Sequence, residues 1–141
     1  MTSPASVAKK TEPAVRILIV DDQETIRRMV RATLQQHAHF EVVGEAANGA
    51  KAIEEAHRLR PHVVVLDVSM PVMNGFEAAR EIKARLPETA IVILSSNADK
   101  CFVEIARKLG ARAYVAKTRA SQALFKAIEN AVKGGDFVLM E

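Results

Sequence analysis

The chain has 141 residues, 49% of them hydrophobic and 26% charged, which supplies apolar material for one globular core but not for two. Its formal charge of +3 is dispersed, a pattern typical of a solvated surface rather than of a nucleic-acid-binding patch. No segment approaches the roughly 18–20 consecutive apolar residues of a membrane span, and the N-terminus lacks the apolar centre of a secretory signal. Because Cys101 is the single cysteine, no internal disulfide can form, and we expect a buried or half-buried thiol. We therefore expect a cytoplasmic protein without a membrane partner.

Five strand-like segments alternate with five helix-like segments after an N-terminal tail. Residues 1–14 are rich in Ser, Thr, Pro and Lys without periodicity, which predicts a disordered tail. The runs that predict strands are RILIV (16–20), EVVGEA (41–46), HVVVLD (62–67), AIVILS (90–95) and ARAYVAK (111–117). Apolar residues spaced three and four apart predict helices over 25–36, 50–59, 76–86, 100–109 and 121–133. This alternation predicts an α/β fold with right-handed crossovers and a parallel sheet covered by helices on both faces.

Polar side chains end four of the five predicted strands. They are Asp21 and Asp22 after the first strand, Asp67 in the third, Ser95 in the fourth and Lys117 in the fifth. One such residue alone is usually a turn residue or a helix cap, but ligands of open α/β sheets bind at these strand ends. If the first and third strands are neighbours, the carboxylates converge and need a cation, and an oxygen-rich cluster of this type suits Mg²⁺.

Four motifs carry a resemblance to a known family: VDD (20–22), LDVSMPVMNG (66–75), ILSS (93–96) and AYVAK (113–117). Together they resemble the receiver domain of bacterial two-component response regulators, over about residues 15–135. FEVVGEAANGAKAIE (40–54) and KAIENAVKGG (126–135) are similar to receivers of the LuxR-type (NarL/FixJ) branch. The resemblance implies a doubly wound (βα)5 flavodoxin-like sandwich with a five-stranded parallel sheet in the order 2-1-3-4-5. Residues 136–141 would then be a C-terminal extension.

The resemblance also implies a phosphoryl-accepting site. Asp67 would accept the phosphoryl group, and Asp22 and Asp67 would bind Mg²⁺, with Asp21 acting mainly through water. The main-chain carbonyl of Ser69 would complete the protein's share of the metal ligands. A carboxylate nucleophile beside a metal ion fits the chemistry of phosphoryl transfer.

The resemblance assigns the remaining strand-end residues to charge neutralisation and switching. Lys117 would pair with the phosphoryl oxygens, Ser95 would bind one of them and move, and Tyr114 would reorient in response. Tyr114 is equally explained as a half-buried strand aromatic. Lys117 is followed by Thr118, where the family commonly has a cis proline, so we do not expect that cis bond here.

The expected partners are a sensor histidine kinase or phosphotransfer protein, a downstream output protein or domain, and a second copy in a phosphorylation-dependent homodimer. Arg27 and Arg28, predicted to be exposed on the first helix, are candidate kinase contacts or simply part of a solvated face. The chain is either a single-domain regulator or the receiver of a longer protein, and we expect no specific DNA binding by it alone.

Two enzyme-like alternatives fail on the first loop. A haloacid-dehalogenase-like phosphatase requires D-x-D where this chain has Asp21-Asp22-Gln23, and a flavodoxin-like cofactor module would not place two carboxylates beside a phosphate. We expect a phosphoryl acceptor with self-dephosphorylation rather than a dedicated enzyme. The alternative that stays open is a receiver-shaped docking module that works without phosphorylation.

Overall fold

The computed structural model describes residues 14–68, 74–97 and 99–141. Its strands are β1 (Val15–Val20), β2 (Phe40–Ala46), β3 (Val63–Leu66), β4 (Ala90–Ser95), β5 (Ala113–Ala116) and β6 (Val138–Met140). Its α-helices are α1 (Glu24–Leu34), α2 (Gly49–Leu59), α3 (Gly75–Arg85), α4 (Lys100–Leu109) and α5 (Ala120–Val132), and Lys117–Arg119 form a 3-10 turn. The predicted tail, apart from Ala14, lies outside the described residues, as do residues 69–73 and 98.

The strands form one parallel sheet in the order β2-β1-β3-β4-β5-β6. The predicted α/β fold and the order 2-1-3-4-5 are confirmed, and β6 extends the sheet beyond β5. β3 and β4 are buried along their whole length, because helices cover both faces of the sheet. Consecutive aliphatic residues are therefore tolerated where a half-exposed strand would alternate with polar ones.

Alternate residues of β1 belong to two separate hydrophobic cores. Ile17 and Ile19 point to one face, where they pack with residues of α1 and α5 such as Leu34 and Ile128. Leu18 and Val20 point to the other face and pack with residues of α2, α3 and α4; among these are Ala52, Ile82 and Ala106. The period of two along β1 thus places two helices on one face and three on the other.

Helix ends lie close to their predicted positions because the sequence carries cap residues. The side chain of Asn48 accepts a hydrogen bond from Lys51 N–H at 2.8 Å, and that of Asn74 accepts one from Glu77 N–H at 3.0 Å. Gly110 ends α4 with φ of 102°, a conformation that glycine adopts without a Cβ clash. Asn48 and Asn74 are thus the N-caps of α2 and α3.

Three further observations concern Cys101, the peptide bonds and the helices. Cys101 is exposed in the first turn of α4, so the expectation of a buried or half-buried thiol is wrong. No peptide bond among the described residues is cis, and the Lys117–Thr118 bond is trans. In the part of the chain that the structure describes, every helix is too short or too polar to cross a bilayer.

Candidate functional site

Three carboxylates meet at the carboxyl ends of β1 and β3. Asp21, Asp22 and Asp67 each offer an oxygen, and these oxygens lie within 4.8 Å of one another. Adjacent parallel strands bring them together: Asp67 N–H donates to Val20 O at 3.0 Å and so continues the β1–β3 ladder. Asp21 and Asp67 are 2% and 3% exposed, whereas Asp22 is exposed. Two buried like charges at this separation demand a compensating cation.

Lys117 supplies one positive charge to this cluster. It follows β5 directly, and its Nζ lies 2.9 Å from Asp21 Oδ2 and 3.7 Å from Asp67 Oδ2. Its side chain is 15% exposed, so both ion pairs are largely shielded from water. Three carboxylates face one ammonium, and the site keeps a net negative formal charge that a further cation could offset.

Gly75 holds the end of β3 against the start of α3. Its N–H donates to Val68 O at 3.2 Å. A Cβ at this position would lie 2.5 Å from the Cα of Val68 and closer still to the carbonyl oxygen of Asp67. Only glycine therefore allows this helix to approach the backbone that carries Asp67.

Ser95 and Tyr114 form a second, buried group beside the carboxylates. Both residues are fully buried, and Ser95 ends β4. Asn97 joins them through its main chain, because its N–H donates to Ser95 Oγ at 3.1 Å and its carbonyl accepts a short hydrogen bond from the Tyr114 hydroxyl. The two residues assigned to switching are thus linked in one hydrogen-bonded unit.

Burial raises the pKa of Tyr114 above its ordinary value, although a hydrogen bond with Ser95 partly offsets this. The negative charges of Asp67 and Asp99 raise the pKa further. Tyr114 is therefore a neutral phenol at physiological pH and lies within electrostatic reach of the acidic cluster.

The structure thus brings Asp21, Asp22, Asp67 and Lys117 into contact and places Ser95 and Tyr114 next to them. Ser69 lies outside the described residues. The sequence pattern did not indicate a site residue at the end of the second strand, yet Glu45 of β2 binds two arginines of α1 there. The sequence signal for Glu45 is an acidic residue near the carboxyl end of the strand EVVGEA (41–46), which also begins with a glutamate.

Comparison with known proteins agrees with this geometry. The family model of the response regulator receiver domain matches residues 17–129. The chain belongs to this family. The receiver is 32% identical over 127 residues to the transcriptional regulatory protein DegU of Brevibacillus brevis, a match that covers 90% of this chain and 54% of DegU. The chain therefore spans about half the length of that relative.

Two solved structures support the same assignment. A LuxR-family two-component response regulator from Aurantimonas sp. matches with a TM-score of 0.84 and 30% identity, over 88% of this receiver and 89% of that chain. The isolated receiver domain of RcsB from Salmonella enterica serovar Typhimurium, solved with the phosphomimetic BeF3⁻, matches with a TM-score of 0.81 and 27% identity. That match covers 89% of this receiver and 93% of the RcsB chain. The resemblance to receivers of the LuxR-type branch is confirmed.

The acidic cluster of this receiver fits a magnesium ion by its chemistry. All three side chains donate hard carboxylate oxygens, the ligands that Mg²⁺ prefers. Exposed Asp22 leaves the cluster open to water, which Mg²⁺ retains in most protein sites. The three carboxylates also carry more negative charge than the Lys117 ammonium offsets, which favours the binding of a divalent cation.

Proposed function

We propose that this receiver accepts a phosphoryl group on Asp67 with Mg²⁺, as a response regulator of a two-component phosphorelay. The observation that carries the proposal is the buried Asp67 carboxylate, held at a strand end within 4.8 Å of two more carboxylates and 3.7 Å from Lys117. A strand of a packed sheet keeps this nucleophile in place. The Lys117 ammonium, together with a cation held by the carboxylates, would offset the negative charge of a phosphoryl group in transfer.

The transfer is a substitution at phosphorus. A carboxylate oxygen of Asp67 forms the new O–P bond while the P–N bond of a phosphohistidine, on a histidine kinase or phosphotransfer protein, breaks. The electron pair of that bond stays on the imidazole, and Asp67 becomes an acyl phosphate. In self-dephosphorylation a water oxygen attacks phosphorus, the O–P bond to Asp67 breaks, and the carboxylate and inorganic phosphate are released. The receiver thus acts as phosphoryl acceptor rather than as a dedicated enzyme.

Asp21, Asp22 and Asp67 would hold the Mg²⁺ ion, with the Ser69 carbonyl as a further ligand. When bound, Mg²⁺ supplies positive charge that offsets the charge on the phosphoryl oxygens. The Lys117 ammonium would donate hydrogen bonds to the same oxygens. The position of Lys117 supports this role. Its ammonium contacts Asp21 and lies near Asp67, so only a short movement would bring it to a phosphoryl group on Asp67.

Ser95 and Tyr114 would transmit the change. In the structure Ser95 is bound by Asn97 N–H, and the Tyr114 hydroxyl is turned inward. A phosphoryl oxygen on Asp67 offers Ser95 a stronger, charged acceptor, and Tyr114 then loses a partner of its hydroxyl. The affected surface comprises α4, β5 and α5. If backbone amide resonances of this surface stay unchanged on phosphorylation, the switching role is wrong.

The output would pass to a downstream protein or domain, or to a second copy in a phosphorylation-dependent homodimer. We assign no specific DNA binding to this chain alone. Membership of the family supports a phosphodonor and an output partner, and the RcsB receiver, solved in the presence of a phosphomimetic, supports phosphoryl binding by a receiver of this fold.

Intact mass spectrometry after incubation with Mg²⁺ and acetyl phosphate tests the proposal. We expect one phosphoryl adduct on the wild-type protein, none on Asp67→Asn, and none after chelation of the metal. Asp136→Asn, which changes an exposed carboxylate away from the cluster, serves as the matched control and should be labelled like the wild type. An unlabelled wild type under every condition would instead favour the docking module that works without phosphorylation.

A further inference from the structure

Arg27 connects the loop after β1 to strand β2. It lies in the first turns of α1, where its Nη1 donates to the main-chain oxygen of Asp21 at 2.7 Å and its Nε donates to Glu45 Oε1 at 2.8 Å. The Arg27 side chain is 16% exposed, whereas that of Arg28 is 76% exposed and pairs with Glu24. The expectation that both arginines are exposed is therefore wrong for Arg27, which is turned toward the acidic cluster.

The bond to the Asp21 carbonyl restrains the next residue of the cluster. The carbonyl of residue 21 and the N–H and Cα of residue 22 share one rigid peptide plane. Asp21 N–H donates to Ala46 O at 3.1 Å, and the Asp21 carboxylate accepts from Gln23 N–H at 2.9 Å. With Arg27 on the carbonyl oxygen, the plane from which Asp22 starts is held in a defined orientation.

Glu45 anchors the arginine from the other side. Its two carboxylate oxygens are divided between two arginines, since Arg31 Nη2 lies 2.7 Å from Oε2. Burial raises the pKa of Glu45, but the hydrogen bonds and charges of Arg31 and Arg27 outweigh it and hold the pKa below its ordinary value. Glu45 therefore stays ionised at neutral pH, and β2 provides a fixed attachment point for Arg27.

We infer that Arg27 is a positioning residue for the metal-binding carboxylates: it orients the Asp21–Asp22 peptide, and Glu45 keeps Arg27 in place. This inference rests on the proposed function. It makes Arg27 important for Mg²⁺ binding although Arg27 carries the same sign of charge as the ion.

Because Arg27 and Mg²⁺ are both positively charged, a positioning role and a purely electrostatic role of Arg27 predict opposite effects on Mg²⁺ binding. If Arg27 acted only through its charge, removing it would lessen the repulsion of Mg²⁺ and tighten binding. If Arg27 orients the loop, removing it lets the Asp22 carboxylate leave its place and weakens binding. Partners that orient metal ligands typically contribute about 10- to 100-fold in affinity.

Arg31 offers a matched control, because it binds the same Glu45 carboxylate without reaching Asp21. Calorimetric Mg²⁺ titration of the full chain should show binding about tenfold weaker in Arg27→Gln and within about twofold of wild type in Arg31→Gln. Arg27→Lys keeps the charge, but a single ammonium lacks the forked donors that reach both the Asp21 carbonyl and Glu45. Mg²⁺ binding by Arg27→Lys should therefore also be weaker than in the wild type. Glu45→Gln should fall between Arg27→Gln and wild type.

Phosphorylation by acetyl phosphate gives a second readout. Arg27→Gln should be phosphorylated more slowly than the wild type at low Mg²⁺ and at the wild-type rate at saturating Mg²⁺. A general loss of stability would not be rescued by Mg²⁺ in this way. The inference is overturned if Arg27→Gln and Glu45→Gln bind Mg²⁺ as tightly as the wild type or more tightly. It is also overturned if Arg31→Gln loses as much Mg²⁺ affinity as Arg27→Gln. If Arg27→Gln does not fold, Arg27→Lys and Glu45→Gln decide in its place. A wild-type chain that binds no Mg²⁺ overturns the proposed function as well, whereas wild-type binding that these variants leave unaltered overturns the inference alone.

Discussion

The Lys117 ammonium lies 2.9 Å from the Asp21 carboxylate, closer than to the Asp67 carboxylate at 3.7 Å. Lys117 therefore neutralises one of the oxygens that we assign to Mg²⁺, and it competes with the ion until a phosphoryl group arrives. Lys117→Met should bind Mg²⁺ about tenfold more tightly, or about 1.4 kcal/mol, and accept phosphate roughly 100-fold more slowly. Calorimetric titration and a mass-spectrometric time course measure the two effects.

Lys126→Met is the control for this change, because it removes an exposed ammonium from α5 and leaves the cluster intact. It should alter neither Mg²⁺ affinity nor the rate of phosphorylation. Weaker Mg²⁺ binding by Lys117→Met would mean that the lysine holds the carboxylates in place instead of competing for them.

Gly75 should be a site where one methyl group impairs both stability and phosphorylation. The Cβ of Gly75→Ala would meet the backbone of Asp67 and Val68, which cannot rotate away. We expect a loss of roughly 1–3 kcal/mol in the free energy of unfolding. Because a shift of about 1 Å at a reacting group can cost about 100-fold in rate, phosphorylation should slow as well. Urea unfolding and intact mass measure these two quantities.

Gly44→Ala provides the contrast. Its Cβ would approach Leu59 Cδ1 at 2.7 Å, the far end of a side chain that can change rotamer. Both stability and phosphorylation should change little. A Gly75→Ala protein as active and as stable as Gly44→Ala would show that α3 can move away from β3 without displacing Asp67.

The sequence predicts the main chain of the site better than the contacts between its side chains. Apolar runs ending in Asp67, Ser95 and Lys117 place these residues at one edge of a parallel sheet, whatever the detailed packing. The Arg27–Glu45 pair depends instead on how α1 lies over β2, and helical spacing alone does not show which arginine faces inward. The helical pattern therefore predicted the same exposure for Arg27 and Arg28.

Strand β6 was not predicted from the sequence, because it too depends on tertiary contacts. Its three residues, Val138–Met140, are too few to show a strand period, and they follow two glycines that read as a turn. Only the open edge of β5 makes them a strand, through the register Tyr114 with Leu139 and Val115 with Met140. Tertiary context, not local preference, determines this element.

The C-terminal segment should therefore contribute to stability through the residues that face the cores. Phe137 packs against the core on the α2–α4 face, whereas Leu139 is 42% exposed. Phe137→Ala should lower the free energy of unfolding by about 1–3 kcal/mol, less than for a fully buried Phe, and Leu139→Ala by less than about 0.5 kcal/mol. Urea unfolding of the two variants compares them directly, and equal effects would argue that the segment does not pack in solution.

Tyr114 should make the receiver less stable at alkaline pH. Because burial, with the charges of Asp67 and Asp99, raises its pKa in the fold, the unfolded chain loses the phenolic proton first, near the ordinary value of 10.0. The stabilisation is therefore complete below about pH 10 and is lost as the pH rises from there through the folded pKa. Tyr114→Phe should remove this part of the decline in the free energy of unfolding.

Since Tyr114 is the single tyrosine and the chain has no tryptophan, tyrosinate absorbance reports its titration alone. Asp67→Asn removes one raising charge and should lower the Tyr114 pKa, while Asp136→Asn should not; an unchanged titration in Asp67→Asn would place Tyr114 outside the influence of the acidic cluster.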